Sequence, residues 1–416
     1  MKRALLAVLL GAFLGAGTPP ASARTCASDV VPAATLLLPY FEVDLGSASG
    51  RTTLFSVNNA VDRAVLTHVV LWTDLGVPTL SFDLYLTGYD VQTINLRDVF
   101  AGQLPRTASQ SQDPSDTISP QGEFSQDVSY ASCAGLLPPP APSAAVVDHL
   151  RKAHQGLASP LLEGKCAAQP LRDGIARGYV TVDVVNRCSS LTPASAGYFG
   201  PEGVAAHDNV LWGDFYLVDP AGNLAQGENL VRIESDPARF AGKPTFYSRY
   251  VNGTGADGRE PLPTVWAARY INGGTFTGGT DYIYWRDSRQ RVEAFQCNQP
   301  PSWYPIRVQE GGHRSWVFDE QENADTYGCF NPVPCQLPAP FPGESGRVAL
   351  NTAQFPIPFD FGWWYLDMKT GAVTVPPLTQ AWVGAIHDAQ GRFSVGLEAD
   401  PLDDGCKPLT SNPGSN

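Results

Sequence analysis

The sequence predicts an all-β protein: two immunoglobulin-like or jelly-roll-type β-sandwich domains, related as a diverged tandem duplication, with loop insertions and one short helix. Three observations carry that expectation. From Thr35 to Phe100 the chain reads as short runs of β-branched and aromatic residues separated by Gly, Pro, Asn and Asp. Parts of this pattern recur beyond residue 264. Ala144 to Gln155, AAVVDHLRKAHQ, is the one stretch with helical character in the chain that follows the leader.

The first residues read as an export signal. Lys2 and Arg3 form a short positive region, Ala4 to Gly17 an apolar one, and Ala21-Ser22-Ala23 a small-residue cleavage site. Residues 1–23 are therefore expected to be a signal peptide, with the mature chain starting at Arg24. Ala23-Arg24-Thr25 lacks the apolar and small residues that a lipid anchor on Cys26 would call for. The apolar run is too short to span a bilayer and no later run is longer, so no transmembrane segment is expected.

Beyond the signal, strands are expected at Thr52–Asn58 and Val65–Thr73, joined as a hairpin through Asn59-Ala60-Val61-Asp62. Leu80, Phe82, Leu84 and Leu86 alternate with Ser81, Asp83 and Tyr85, the pattern of a strand with one wet face. Residues 89–98 close this set. Residues 101–177 read as an insertion: Ser-, Gln- and Pro-rich up to about residue 142, then carrying the helix. Strands return at Gly178–Asn186, Val210–Val218 and Asn229–Glu234, which completes a first domain over residues 24–251. Residues 252–263 read as a linker, and residues 264–416 as a second domain with its own insertion at about 289–346. Residues 24–255 expressed alone are then expected to fold.

The repeat itself rests on three matches. Thr264–Ser288 lines up with Thr35–Ala60, placing Thr280 on Thr52, Ile283 on Phe55 and Trp285 on Val57. Phe359–Leu366 falls on Tyr89–Leu96. Gly227–Pro237 falls on Gly391–Pro401, with Gly, Val, Glu, Asp and Pro at equal spacing.

Charge narrows the partners. The whole chain has a formal net charge of −13. Removing Lys2 and Arg3 from its 28 basic residues leaves 26 against 41 acidic ones, a net of −15. Nothing supplies the basic stripe that a nucleic acid or an anionic membrane surface demands. The eight cysteines are Cys26, Cys133, Cys166, Cys188, Cys297, Cys329, Cys335 and Cys406. An even number in an exported chain points to disulfides, each worth about 2–4 kcal/mol. Pairing is not deducible from sequence; the order along the chain favours pairs among the first four and among the last four. Zinc is disfavoured, because no C-x-x-C occurs.

Catalytic motifs are scarce. Gly253, Gly255 and Gly258 satisfy G-x-G-x-x-G, but Arg-Glu-Pro-Leu-Pro follows in place of a helix, so no pyrophosphate site is expected. His149 and His154 share the helix yet point about 140° apart, which favours surface histidines over a metal pair. Glu42, Asp44, Asp83 and Asp90 are the natural candidates for paired-acid glycosidase chemistry, set against the plainer reading of solvated strand and turn residues. No catalytic residue, cofactor or metal ligand is assigned. Seven of the nine tryptophans lie from Trp266 onwards. Within Trp363-Trp364-Tyr365 a strand must put rings on both faces, and a ring on the wet face could stack on a sugar or another protein.

The blocks TTLFSVNN (52–59), LTGYDVQTINLRD (86–98), GGTDYIYWRD (278–287) and GRFSVGLEAD (391–400) resemble a family of uncharacterised exported bacterial proteins. The resemblance implies secretion and carries no catalytic residues. Three functional readings follow: a structural, adhesive or ligand-binding protein at or outside the cell surface; an extracellular polysaccharide hydrolase; or a carbohydrate-binding module.

Overall fold

A computed structural model describes residues 31–106, 133, 135–274, 277–301, 315–327, 341–350, 357–368 and 380–402. The expected signal peptide, Cys26, His313, Cys329, Cys335 and Cys406 lie outside the described residues.

The protein is all-β. The first ten strands are β1 (Thr35–Asp44), β2 (Thr52–Asn59), β3 (Val65–Thr73), β4 (Pro78–Leu86), β5 (Val91–Asn95), β6 (Ile175–Val185), β7 (Leu211–Trp212), β8 (Asp214–Asp219), β9 (Leu224–Asn229) and β10 (Val231–Ile233). The remainder are β11 (Val265–Ile271), β12 (Gly279–Arg286), β13 (Ser315–Asp319), β14 (Ala324–Tyr327), β15 (Ser345–Ala349), β16 (Phe361–Asp367), β17 (Ala381–Asp388), β18 (Ser394–Glu398) and β19 (Asp400–Pro401). Every pairing between them is antiparallel.

Four sheets result. The first has the order β10-β1-β6-β3-β4 and the second β5-β2-β8-β9, with β7 added beside β2. The third runs β19-β11-β16-β13-β14 and the fourth β15-β12-β17-β18. Counted along the chain from β1 and from β11, and leaving β7 aside, the two halves have the same strand orders. β1 packs on β2 and β8, and β11 on β12 and β17, so each half is a pair of facing sheets.

Burial separates inner sheets from outer ones. β1 and β3 are buried along nearly every residue, as are β6 and β17. Strands covered on both faces read as continuous apolar runs, which VLTHVVLWT and AWVGAIHD do. β8 alternates buried and exposed, as does β16, so the second and third sheets each turn one face outward. Four details depart from expectation. β2 and β3 are not a hairpin, because Asn59–Asp62 carries the chain from the second sheet to the first; the hairpin is β3–β4, turned at Gly76 with φ 80°. Asp83 and Tyr85 have no wet face, since the segment around Cys133, Cys188 and Tyr198 covers them. Residues 289–346 include β13 and β14, which are sheet strands. Phe359–Leu366 leads into β16, whose place in its sheet corresponds to that of β6; the strand placed like β5 is β15.

Among the described residues three short α-helices join the strands: α1 (Leu96–Phe100), α2 (Ala144–Ala153) and α3 (Pro237–Phe240). The Ser143 side chain caps α2 by accepting from the Val146 N–H, and Arg151 and Lys152 occupy its last turn. Asn95 and Asp236 cap α1 and α3 in the same way, a signal the strand pattern around them conceals.

Within residues 252–263, Asn252, Gly253, Thr254 and Ala256 are exposed, while 257–263 are packed. Asp257, Arg259 and Leu262 are buried. The Asp257 carboxylate accepts from Thr245 Oγ1 and from the Tyr247 N–H. The Arg259 guanidinium donates to Thr35 Oγ1, the Asp257 carbonyl and the Ala206 carbonyl. The glycines of the G-x-G-x-x-G match serve this turn: Gly255 has φ 69°, and a Cβ there would stand 2.0 Å from the Phe240 carbonyl oxygen.

Two disulfides lie among the described residues, Cys133–Cys188 and Cys166–Cys297. The second joins the halves and corrects the expectation that the first four cysteines pair among themselves. Its register is set by the antiparallel bridge of Cys166 with Phe295.

Candidate functional site

The third sheet turns an aromatic face outward. Side chains alternate along a strand, so β16 sends Phe361, Trp363 and Tyr365 to one side and Trp364 and Leu366 to the other. Trp364 is buried, 6.1 Å from the Tyr282 ring in the sheet behind. On β13 the same alternation buries Val317 and leaves Trp316 and Phe318 half-buried. The β13–β16 register sets Trp316 opposite Tyr365 and Phe318 opposite Trp363. Phe318 and Trp363 stack at 4.5 Å with 13° between planes, and Trp316 lies 6.4 Å from Phe318 at 23°. Cross-strand aromatic pairs of this kind stabilise the sheet and fix one another's orientation.

The neighbouring strand completes the face. β11 places Ala267 opposite Tyr365, Arg269 opposite Trp363 and Ile271 opposite Phe361. Arg269 is largely exposed and forms an ion pair with Asp400 at 3.6 Å. The result is a surface of five rings, with a small side chain beside Tyr365 and a charged hydrogen-bonding pair at its margin.

Of the three residues flagged from sequence, Trp363 and Tyr365 share this face and Trp364 belongs to the core. Trp316 and Phe318 escaped notice because they lie in a stretch read as insertion. The available signal is compositional: Ser315–Asp319, SWVFD, sets two aromatic residues about a β-branched one, residue types that favour strands.

The carboxylates considered for paired-acid chemistry do not converge. Glu42 accepts from Tyr40 Oη at 2.6 Å and lies 3.3 Å from Arg51 and 3.7 Å from Arg347. Asp83 is 2.7 Å from His68 Nδ1, in the interior. Asp44 accepts from the backbone N–H groups of Gly46 and Ser47, and Asp90 from those of Thr87 and Val91. Each is part of an ion pair or a turn.

The helix histidines are buried, contrary to expectation. His149 Nδ1 lies 2.8 Å from Ser159 Oγ. His154 donates from Nδ1 to the Arg177 carbonyl at 2.8 Å, which leaves Nε2 to accept from Thr79 Oγ1 at 2.7 Å. Burial pulls the His154 pKa down to about 4, so the ring is neutral at physiological pH. One acid missed entirely from sequence is Asp74: desolvation pushes its pKa up to about 7, against hydrogen bonds from Gln169 that lower it.

Between the halves lies a buried ionic cluster. Arg249 pairs with Glu344, donates to Tyr179 Oη at 3.0 Å, and lies 3.4 Å from Asp287. Tyr179 Oη donates to Glu344 Oε2 at 2.9 Å, and Gln380 Nε2 to Asp287 at 3.2 Å. The two carboxylates share the Arg249 guanidinium, and all three side chains are 5% exposed or less, so the cluster fastens the halves.

No known family, curated protein or solved structure matches this chain. No described helix is long and apolar enough to cross a membrane.

Proposed function

We propose that this chain is an exported, disulfide-held β-sandwich protein that binds glycan outside the cytoplasm through the aromatic face of its third sheet. The observation that carries this reading is the register-matched set Trp316, Phe318, Phe361, Trp363 and Tyr365 on one outward face. Flat rings at fixed spacing suit the apolar face of a pyranose, and the Arg269–Asp400 pair at the margin can exchange hydrogen bonds with its hydroxyls.

Export is supported by the signal-like residues 1–23, by the two disulfides and by the resemblance to exported bacterial proteins. Origin by duplication is supported by the matching strand orders of the two halves and by the Thr35–Ala60 and Thr264–Ser288 match, which falls on strands of equal rank. No comparable observation favours the hydrolase, because Glu42, Asp44, Asp83 and Asp90 are held in ion pairs and turns.

Affinity electrophoresis of the intact protein through gels containing neutral polysaccharides tests the binding reading. Retardation of the wild type is expected. Trp363→Ala should weaken it about tenfold, the scale of one lost stacking partner. Unretarded migration through β-glucan, chitin, xylan and mannan gels alike would overturn the proposal.

A further inference from the structure

The second sheet turns outward a different surface from the one just described. β7 and β8 are separated only by Gly213, and the alternation runs through the break. Trp212, Asp214 and Tyr216 point outward, while Leu211, Phe215 and Leu217 point into the core. Trp212 and Tyr216 are 36% and 46% exposed. Four residues of strand set their Cα atoms about 13 Å apart.

Both rings are held in place. Tyr216 lies across β9 over Gly227, where a Cβ would stand 2.6 Å from Tyr216 Cε1; only glycine there lets the ring lie flat on the sheet. The Arg232 guanidinium, itself buried, stacks on the Trp212 ring at 4.8 Å from its centroid. Fixed rings lose little entropy when a ligand stacks on them.

The ground between the rings is polar. Ser56 Oγ donates to Asp214 Oδ1 at 2.9 Å, midway along the strip. Thr93 lies opposite Ser56 on β5, and Asn58 lies opposite Trp212 on β2. Charge decides which ligand fits. The strands β2, β5, β7, β8 and β9 contain no lysine or arginine, and Asp214 stands between the rings. An anionic ligand would meet the Asp214 carboxylate between the rings, while the Arg232 guanidinium of β10 is buried and already stacked on Trp212. Neutral hydroxyls can donate to Asp214 and accept from Thr93.

We infer that Trp212, Asp214 and Tyr216 form a second binding strip, on the first half, for a short stretch of neutral pyranose chain. The two rings take the apolar faces of sugar units, and Asp214 takes a hydroxyl between them. This strip shares the ligand chemistry of the third-sheet face but stands on different residues and a different sheet.

Isothermal titration of the intact protein with neutral tetrasaccharides of β-glucan, chitin, xylan and mannan tests it. Two sites per chain are expected. The pair Trp212→Ala/Tyr216→Ala should reduce this to one, while Trp212→Phe with Tyr216 retained should keep both sites. Both rings are solvent-facing, and an unchanged circular dichroism spectrum checks that the double variant folds. A single wild-type site that survives the double variant and disappears in Trp363→Ala overturns this inference and leaves the third-sheet reading standing. A single site lost in Trp212→Ala/Tyr216→Ala but kept in Trp363→Ala does the reverse. No heat with any of the four tetrasaccharides, or a self-association that the double variant abolishes in its place, overturns the strip as a glycan site.

Discussion

At Asp74 burial opposes ionisation. The carboxyl is 2% exposed and accepts from the Gln169 N–H at 3.2 Å, and desolvation lifts its pKa from 3.8 to about 7. In the unfolded chain the same group gives up its proton near pH 4. The stability that follows from holding the proton is fully present below that point and is lost as the pH rises through about 7. Asp74→Asn keeps the acceptor and has no proton to lose. It should stabilise the fold by roughly 2–4 kcal/mol at pH 8 and leave it nearly unchanged at pH 4. Urea denaturation at the two pH values measures the difference, and a gain that is equal at both would show that Asp74 ionises freely in the folded protein. Nothing in the sequence marks Asp74: its neighbours Thr73, Leu75 and Gly76 announce a turn, and turn aspartates are usually wet. Its burial comes from Glu344 and Gly343, which are distant in sequence and hydrogen-bond or pack against it.

Elements were legible where one strand's pattern is enough to define it. Val65–Thr73 was expected at its observed bounds, and Ala144–Gln155 within two residues of α2. Partners were less legible. The Asn59–Asp62 turn is as good a hairpin turn by composition as Asp74–Val77, yet only the latter joins paired strands. The choice depends on which sheet has room for the next strand, and that is a long-range property. The cysteines show the same limit. Cys166 meets Cys297 because the segment after β12 returns along the segment before β6, with Phe295 and Cys166 exchanging backbone hydrogen bonds at 2.8 and 2.9 Å. This disulfide spans 131 residues and ties the two halves, whereas Cys133–Cys188 spans 55 within one. Cys166→Ser/Cys297→Ser should cost about 2–5 kcal/mol by thermal denaturation, a loss as large as the longer loop suggests. An unchanged melting temperature would mean that the packing between halves is sufficient without it.

On the scale of the whole molecule, one hydrophobic core runs through both halves, from Leu36 and Val182 to Trp285 and Trp382. The ring of Tyr179 meets Trp285 at 5.9 Å, Arg347 reaches Glu42, and Ser345 Oγ donates to the Pro39 carbonyl at 2.8 Å. Residues 24–255 alone would expose the Trp72–Tyr179 stack and leave Arg249 without Glu344, an uncompensated charge of the kind that destabilises by several kcal/mol. That fragment is expected to lack a cooperative unfolding transition, while the full chain should melt in one step by calorimetry. A well-folded fragment would show that the halves are independent after all. The sequence by itself determined the all-β class, most strand positions and the parity that separates Trp364 from Trp363 and Tyr365, because these follow from local alternation. Only the tertiary structure decided that residues 257–263 are buried, that His149 and His154 are interior, and that Trp316 and Phe318 join Trp363 on one face. Those outcomes depend on which distant residues cover a given surface, and side-chain alternation fixes the face of a strand without fixing what lies against it.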